Sequence, residues 1–169
     1  MNTCFYPSPI GVLKISEING KITRLCLHSK EKTLQESADV MQNQHNHGDC
    51  GQPSELLKEA CRRLDEYFQG KRTEFDLPLA YAGTPFQESV WRELQKIPYG
   101  ETRSYEDIAV GIGNPRAVRA VGQANNRNPI LLLIPCHRVI HKNGDISGFA
   151  CGIETKKYLL ELERRIRHL

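Results

Sequence analysis

Apolar and polar positions alternate along the start of the chain. Gly11–Ser16 (GVLKIS) alternates roughly, and Lys21–Leu27 (KITRLCL) repeats the pattern. A half-buried strand has this period of two, because successive side chains leave opposite faces. Asn19-Gly20 between the two runs predicts a tight hairpin, since both residues tolerate the positive φ that its turn requires. From Ser54 the period becomes helical. Ser54 caps the helix, and Glu55 sits at the positive end of its dipole. Leu57, Ala60, Cys61, Leu64 and Phe68 form one apolar stripe, and Gly70 ends it. Cys61 is expected in the core. Phe75–Leu79 reads as a short extended segment and Tyr81–Thr84 as a linker. Between the strands and this helix, Gln42–Pro53 (QNQHNHGDCGQP) is polar and reads as a mobile loop.

Beyond the linker the pattern is mostly helical. Thr84 caps a helix with Pro85 at its first position and Gln87 closing a capping box, and Phe86, Val90, Leu94 and Ile97 share a face. Ser104 and Asp107 open a second, short helix that Gly111 and Gly113 close. Asn114-Pro115 starts a third, which carries Val118 and Val121 inward and bears Arg116 and Arg119. Two short helices joined by a glycine-containing turn resemble a helix-turn-helix, whose second helix reads a groove. An apolar run, Ile130–Ile134, precedes Pro-Cys-His-Arg. Val139–Ile146 then reads as a hairpin turning at Asn143-Gly144, and a last helix starts near Glu154. These elements predict an α/β (α+β) chain of two domains. Residues 1–80 form a small α/β domain, and residues 84–169 form a mainly helical one with a helix-turn-helix and a winged-helix-like hairpin.

Composition narrows the partners. At 169 residues, with 39% hydrophobic and 25% charged residues, the chain is neither disordered nor too short for two small domains. No apolar stretch approaches the ~18 residues of a membrane span, and no basic-then-apolar leader opens the chain. A cytoplasmic protein is expected, or a nuclear one in a eukaryote. Net charge is only +3, but it is unevenly spread. Residues 1–83 carry 10 Lys/Arg and 11 Asp/Glu, whereas residues 84–169 carry 13 and 9. Within the second half, Ile108–Gly144 holds five bases (Arg116, Arg119, Arg127, Arg138, Lys142) and no acid. A basic surface on a helix-turn-helix suits DNA.

The six cysteines have no Cys-x-x-Cys and no dense spacing, so reduced thiols are expected rather than a disulfide framework. His45 and His47 lack further ligands at matching spacing, and no metal is expected there. Free cysteine is among the most buried residue types, so a core role is the default for Cys136. Its setting argues for more. His137 and Arg138 flank it, and positive neighbours favour the thiolate, which is the nucleophilic form.

Ile134-Pro-Cys-His-Arg-Val139 resembles the active-site motif of the O6-alkylguanine-DNA alkyltransferases. Ile97–Tyr105 (IPYGETRSY), Gly113–Gly122 (GNPRAVRAVG) and Asn128-Pro129 also stand where that family has them. The similarity is close over about residues 84–165 and general over 1–80. It implies irreversible transfer of an alkyl group from O6-alkylguanine in double-stranded DNA to Cys136, with O4-alkylthymine as a further candidate substrate. It implies a thiol activated through His137 and a water, backed by Glu163, with Asn128 as a hinge residue. Arg119 matches the arginine that replaces the extruded base and Tyr105 the tyrosine that helps rotate the nucleotide. Arg116 is left a phosphate contact and Ser104 a helix cap. Val139 and Ala150 fall in the substrate pocket, Ala150 offering its backbone N–H. The helix docks in the minor groove, the alkylated guanine is flipped out, the chain acts as a monomer, and no cofactor or membrane is involved.

This chain departs from the family at Cys151-Gly152, where Gly-Gly is common; a side chain there reshapes the pocket mouth. Cys4 lies near a zinc ligand of some members, but the other ligands have no counterpart, and no zinc is expected. Two rival readings remain: a helix-turn-helix regulator with a redox-sensing cysteine, and a cysteine hydrolase using a Cys–His pair.

Overall fold

The computed structural model describes residues 1–28, 53–146 and 148–167. The His45/His47 loop up to Gln52, Cys50 and Ser147 lie outside the described residues. The chain divides into two units, Met1–Ala80 and Tyr81–Leu169.

In the first unit, β1 (Asn2–Ser8), β2 (Gly11–Ile18) and β3 (Lys21–Leu27) form an antiparallel meander in the order of the chain. Asn19 and Gly20 both take positive φ (51° and 71°), so the predicted turn forms. Helix α1 (Glu55–Phe68) covers one face of β1 and β2. Its cap is the predicted one, with Ser54 accepting the N–H of Leu57 at 3.2 Å. Cys4, Tyr6, Leu13, Ile15, Ile22 and Leu25 meet Leu57, Ala60, Leu64 and Tyr67 in the core. Each fully buried leucine or isoleucine there contributes about 1.5–3 kcal/mol relative to exposure. Tyr67, not Phe68, is the fully buried aromatic of the stripe, and Cys61 is only half-buried, its Sγ 3.8 Å from that of Cys4. The extended segment after α1 docks on β3, where Ile22 accepts from Ala80 and donates to Pro78.

In the second unit, α2 (Pro85–Leu94), α3 (Tyr105–Gly111) and α4 (Val118–Asn126) pack on one another. Both capping boxes form: Thr84 with Gln87, and Ser104 with Asp107. Trp91 is buried between helices and donates its indole N–H to the Ala124 carbonyl at 2.9 Å, fixing α2 against α4. The third helix begins later than the sequence suggests. Asn114–Ala117 is a turn closed by the Ala117 N–H on the Asn114 carbonyl, so Arg116 precedes α4 rather than lying on it. The apolar run Ile130–Ile134 is a tight turn with Leu132 in left-handed backbone (φ 69°), and this sends Ile130, Leu131, Leu132 and Ile134 all inward. After it come a 3-10 helix (Cys136–Arg138) and β5 (Val139–Ile140), which pairs in parallel with β4 (Arg103–Ser104). Past β5 the predicted hairpin is a turn, His141 N–H to the Asp145 carbonyl at 2.8 Å, rather than a second strand. Helix α5 (Ile153–Arg167) packs on the 3-10 helix.

Candidate functional site

The 3-10 helix carries three consecutive buried residues, Cys136, His137 and Arg138, at 3%, 0% and 6% exposure. Helical turning, rather than extended backbone, sends their side chains to different neighbours. His137 and Arg138 both reach Glu163 of α5, which is 1% exposed. Helix α5 buries Lys156, Leu159 and Glu163, spaced at three and four residues on one face. A solvated acid is what sequence pattern alone suggests for Glu163. It is instead the centre of a closed network.

Four donors converge on that carboxylate. His137 Nε2 stands 2.7 Å from Oε1. Arg138 gives Nε to Oε2 at 2.9 Å and Nη2 to Oε1 at 3.0 Å. The Gly100 backbone N–H reaches Oε2 at 3.1 Å. Burial alone would raise the Glu163 pKa, but these hydrogen bonds and the Arg138 charge overrule it and hold the carboxyl at about 2. Glu163 is therefore ionised and accepts only. The imidazole proton must sit on Nε2, which leaves Nδ1 as an acceptor. Burial pushes the His137 pKa below its ordinary value, so the ring is neutral near pH 7. Arg138 also donates Nη1 to the Ile97 carbonyl at 2.7 Å and lies over the Tyr99 ring. The sequence reading made Arg138 a neighbour that favours a thiolate; its guanidinium is instead engaged with Glu163.

Burial pushes the Cys136 thiol up to about 12, with Asn128 and Lys156 pulling the other way and Cys151 adding to the rise. The resting thiol is thus protonated at neutral pH. Two asparagines of the α4 end fasten the backbone around it. Asn128 donates to the Ile134 carbonyl at 2.7 Å and accepts from the Ile130 N–H at 2.9 Å. Asn125 donates to the Cys136 carbonyl itself at 3.3 Å.

Tyr105, at the first position of α3, is 7% exposed, and burial raises its phenol pKa, as does Cys136 beside it. A Cβ at Gly122 of α4 would lie 3.8 Å from its ring, and one at Gly148 4.0 Å from its hydroxyl. Lys156 is fully buried with no hydrogen-bond partner among the described residues; its ammonium lies 5.8 Å from the Tyr105 ring centre and 5.7 Å from that of Phe149. Burial lowers its pKa, and Cys136 opposes that. Val139 is buried and Ala150 exposed, on the turn before α5. Arg119, in the first turn of α4, and Arg116, in the turn before it, are exposed. Ser104 caps α3.

Cys136, His137, Glu163, Asn128 and Tyr105 thus converge in space, whereas Arg119 and Arg116 lie on the surface. Sequence reasoning did not single out Lys156 or Asn125. Both carried a signal: Lys156 is seven residues before Glu163, and Asn125 continues the inward face of Val121 and Ala124. Among the described residues, no group of three or more His, Cys, Asp or Glu could hold a metal ion, and no helix is long and apolar enough to cross a membrane.

The fold and site define a helix-turn-helix protein with a buried cysteine backed by a histidine–glutamate–arginine network. Residues 85–165 match the family described as 6-O-methylguanine DNA methyltransferase, DNA binding domain, and residues 1–81 match its ribonuclease-like domain. The chain belongs to this family, as its motifs imply. A methylated-DNA–protein-cysteine methyltransferase of Methanosarcina barkeri is 47% identical over 156 residues, 92% of each chain. The constitutive one of Bacillus subtilis is 48% identical over 158 residues, 93% of this chain and 92% of that one. Among solved structures, O6-methylguanine methyltransferase of Mycobacterium tuberculosis superposes with a TM-score of 0.79 at 43% identity, covering 97% of this chain and 93% of that one. Mycobacterium tuberculosis OGT in complex with DNA gives a TM-score of 0.82 at 40% identity, covering 98% and 94%.

Proposed function

We propose that this protein repairs DNA by direct reversal: Cys136 takes the alkyl group from O6-alkylguanine in a duplex, once and irreversibly. The observation that carries the reading is the buried Cys136 with the His137–Glu163 pair directly behind it, in a chain whose relatives are named for this activity. The resting thiol is neutral, so its proton must leave during the reaction. His137 Nδ1 is the acceptor for it, through a water, and Glu163 stabilises the imidazolium that results. The thiolate attacks the alkyl carbon, a carbon–sulfur bond forms as the carbon–O6 bond breaks, and the electron pair leaves on guanine. No cofactor enters the balance.

A thiol inside a folded site cannot reach an oxygen inside a base stack, so the nucleotide is flipped out at a cost of a few kcal/mol. Arg119 takes the vacated place in the stack, and Tyr105 rotates the nucleotide and contacts the guanine. Arg116 holds a phosphate. Helix α4, with small residues Ala117, Ala120 and Gly122, lies in the minor groove, where reading is degenerate and damage is found in any sequence. Ser104 fixes the start of α3, Asn128 ties the α4 end to the active-site segment, and Val139 and the Ala150 backbone form part of the guanine pocket. Residues 84–169 hold this machinery; the protein acts as a monomer, in the cytoplasm or, in a eukaryote, the nucleus.

The test is mass spectrometry of the intact protein after incubation with duplex DNA containing O6-methylguanine. A single methyl per chain, mapped to Cys136 and absent from Cys136→Ser, is the expected result. Repeated turnover, or a methyl on another residue, would overturn the assignment.

A further inference from the structure

Beside Cys136 two buried acceptors have no hydrogen-bond partner among the described residues: Nδ1 of His137 and Oδ1 of Asn125. Their residues are 0% and 1% exposed. His137 follows Cys136 in the chain, and Asn125 reaches it from the last turn of α4, its amide N–H on the Cys136 carbonyl at 3.3 Å. Neither orphan is an accident of orientation. Glu163 fixes the imidazole proton on Nε2, and the Cys136 carbonyl engages the amide NH2, so each residue is left offering a lone pair. A single water, with two hydrogens to give and a lone pair for the S–H, would satisfy both acceptors and take the thiol's hydrogen bond. A buried carbonyl oxygen without a partner is destabilising. The inward face of α4 is otherwise Val121 and Ala124, where a leucine would fit the pattern. An asparagine here trades stability for something else.

We propose that Asn125 is a positioning residue for the nucleophile: with His137 it holds the proton-carrying water against Cys136, taking one water hydrogen on Oδ1 so that the other points at Nδ1. The inference rests on the alkyl-transfer reading and adds to its water the residue that orients it. The step balances. The thiol proton passes to the water oxygen, a water proton passes to His137 Nδ1, and the S–H electron pair stays on sulfur. Imidazolium is left facing the Glu163 carboxylate, and the water is regenerated with a hydrogen still on Asn125. The other groups that face Cys136 are Lys156 from α5, Cys151 from the turn before it, Tyr105 from α3 and Asn128. They act on the thiolate once formed; Asn125 orients the path by which it forms.

Asn125→Leu and Asn125→Ala would be compared with the unaltered chain in reaction with free O6-benzylguanine, from about pH 6 to about pH 10. Both variants should react about tenfold more slowly at neutral pH, with the deficit shrinking as solvent hydroxide takes over deprotonation. Both variants also give up the amide's bond to the Cys136 carbonyl, so thermal unfolding is followed alongside, and the pH dependence of the deficit, not its size alone, reports on the water. An equal rate, or a loss of the same size at every pH, would overturn the inference. Failure of the unaltered chain to take a methyl group from duplex O6-methylguanine would instead count against alkyl transfer. The pH profile of Cys136 modification by a small aromatic disulfide, read by mass at that residue, would then still decide on Asn125, since it needs no guanine.

Discussion

His137 and Glu163 meet at 2.7 Å with neither in contact with solvent, although they lie on different elements and 26 residues apart. The carboxylate is fully used: two guanidinium N–H groups, one imidazole N–H and one backbone N–H take up its lone pairs. Such saturation is the condition under which a buried charge is tolerable. It also gives the histidine a single tautomer. The network thus serves folding and proton transfer with the same atoms.

Glu163→Gln should therefore cost both. Removing the negative charge leaves the Arg138 guanidinium buried without its partner, a loss of about 3–5 kcal/mol. The pH dependence of stability has a defined sign. The folded-state pKa is lowered from 4.5 to about 2, so the carboxylate stabilises the fold fully above pH about 5 and ceases to as pH falls through about 2. The shift corresponds to roughly 3 kcal/mol. Urea unfolding across that range should show the unaltered protein losing stability on acidification, and the Gln variant starting lower and changing less.

Arg119→Ala tests the surface side of the site. Arg119 is exposed in the first turn of α4, a turn with no acidic residue, so its removal should change stability by no more than about 0.5 kcal/mol. Alkyl transfer from duplex DNA should slow far more than transfer from free O6-benzylguanine, which needs no flipping. Comparable losses on both substrates would make Arg119 part of the thiol chemistry. Unselective weakening on all DNA, with the salt slope reduced by about one charge, would make it a phosphate contact.

The caps and periods made most of the elements legible before any coordinates. Ser54, Thr84 and Ser104 start their helices as read, because a cap is a local hydrogen bond between residues three apart. Strands β2 and β3 of the meander follow from alternation and Asn19-Gly20, whereas β1 shows no such alternation and is fixed by pairing with β2. What local pattern could not supply was any burial decided across the chain. Glu163 and Lys156 look like solvated helix residues until α5 packs on the 3-10 helix. Ile130–Ile134 has the composition of a strand, but a positive φ at Leu132 folds it into a turn that no propensity announces. The Asn143-Gly144 signal does make a turn, but it is a local signal, and pairing stops at the His141 N–H to Asp145 carbonyl bond, so no second strand follows. Cys136 and its histidine were legible through their motif, while the Asn125 contact depends on where α4 ends against the 3-10 helix.

Lys156 offers a stability test independent of chemistry. Its ammonium is buried, without a hydrogen-bond partner among the described residues, and held over two aromatic rings. Lys156→Met keeps the stem and removes the stranded charge, and should raise stability by about 1–3 kcal/mol near neutral pH. The lowered pKa means that the folded state binds the proton less well than the unfolded state. The advantage of the Met variant should therefore shrink as pH rises through the alkaline range and the lysine loses its charge in both states. Thermal unfolding at neutral and alkaline pH would check it; a less stable Met variant would show the cation–ring contacts outweighing desolvation.

Alkylation of Cys136 should itself weaken the fold. The thiol is 3% exposed, among Ile134, Pro135, His137 and Val139, all buried. A methyl or larger group on sulfur overfills such a site, at roughly 1–3 kcal/mol. The thioether can no longer donate a hydrogen, so the acceptors that served the thiol are stranded at a further cost of about 1–3 kcal/mol. Strain here has a short route to the DNA-binding surface. Asn125, in the last turn of α4, holds the Cys136 carbonyl, and Asn128, two residues past its end, the Ile134 carbonyl, so a displaced 3-10 helix pulls on α4 through Asn125. Protein methylated to completion on lesion DNA and freed of it should melt several degrees lower, about 2–8 °C for a unit of this size. It should also be cut faster by protease between Asn125 and Asn128. Parallel melting curves of treated and untreated protein, with Cys136→Ser carried through the same treatment as a control for handling, separate the effect of the alkyl group from that of exposure to DNA. A midpoint that stays where it was would mean that the pocket opened by the flipped guanine also accommodates the alkyl group, and that α4 releases the repaired DNA without help from strain at Cys136.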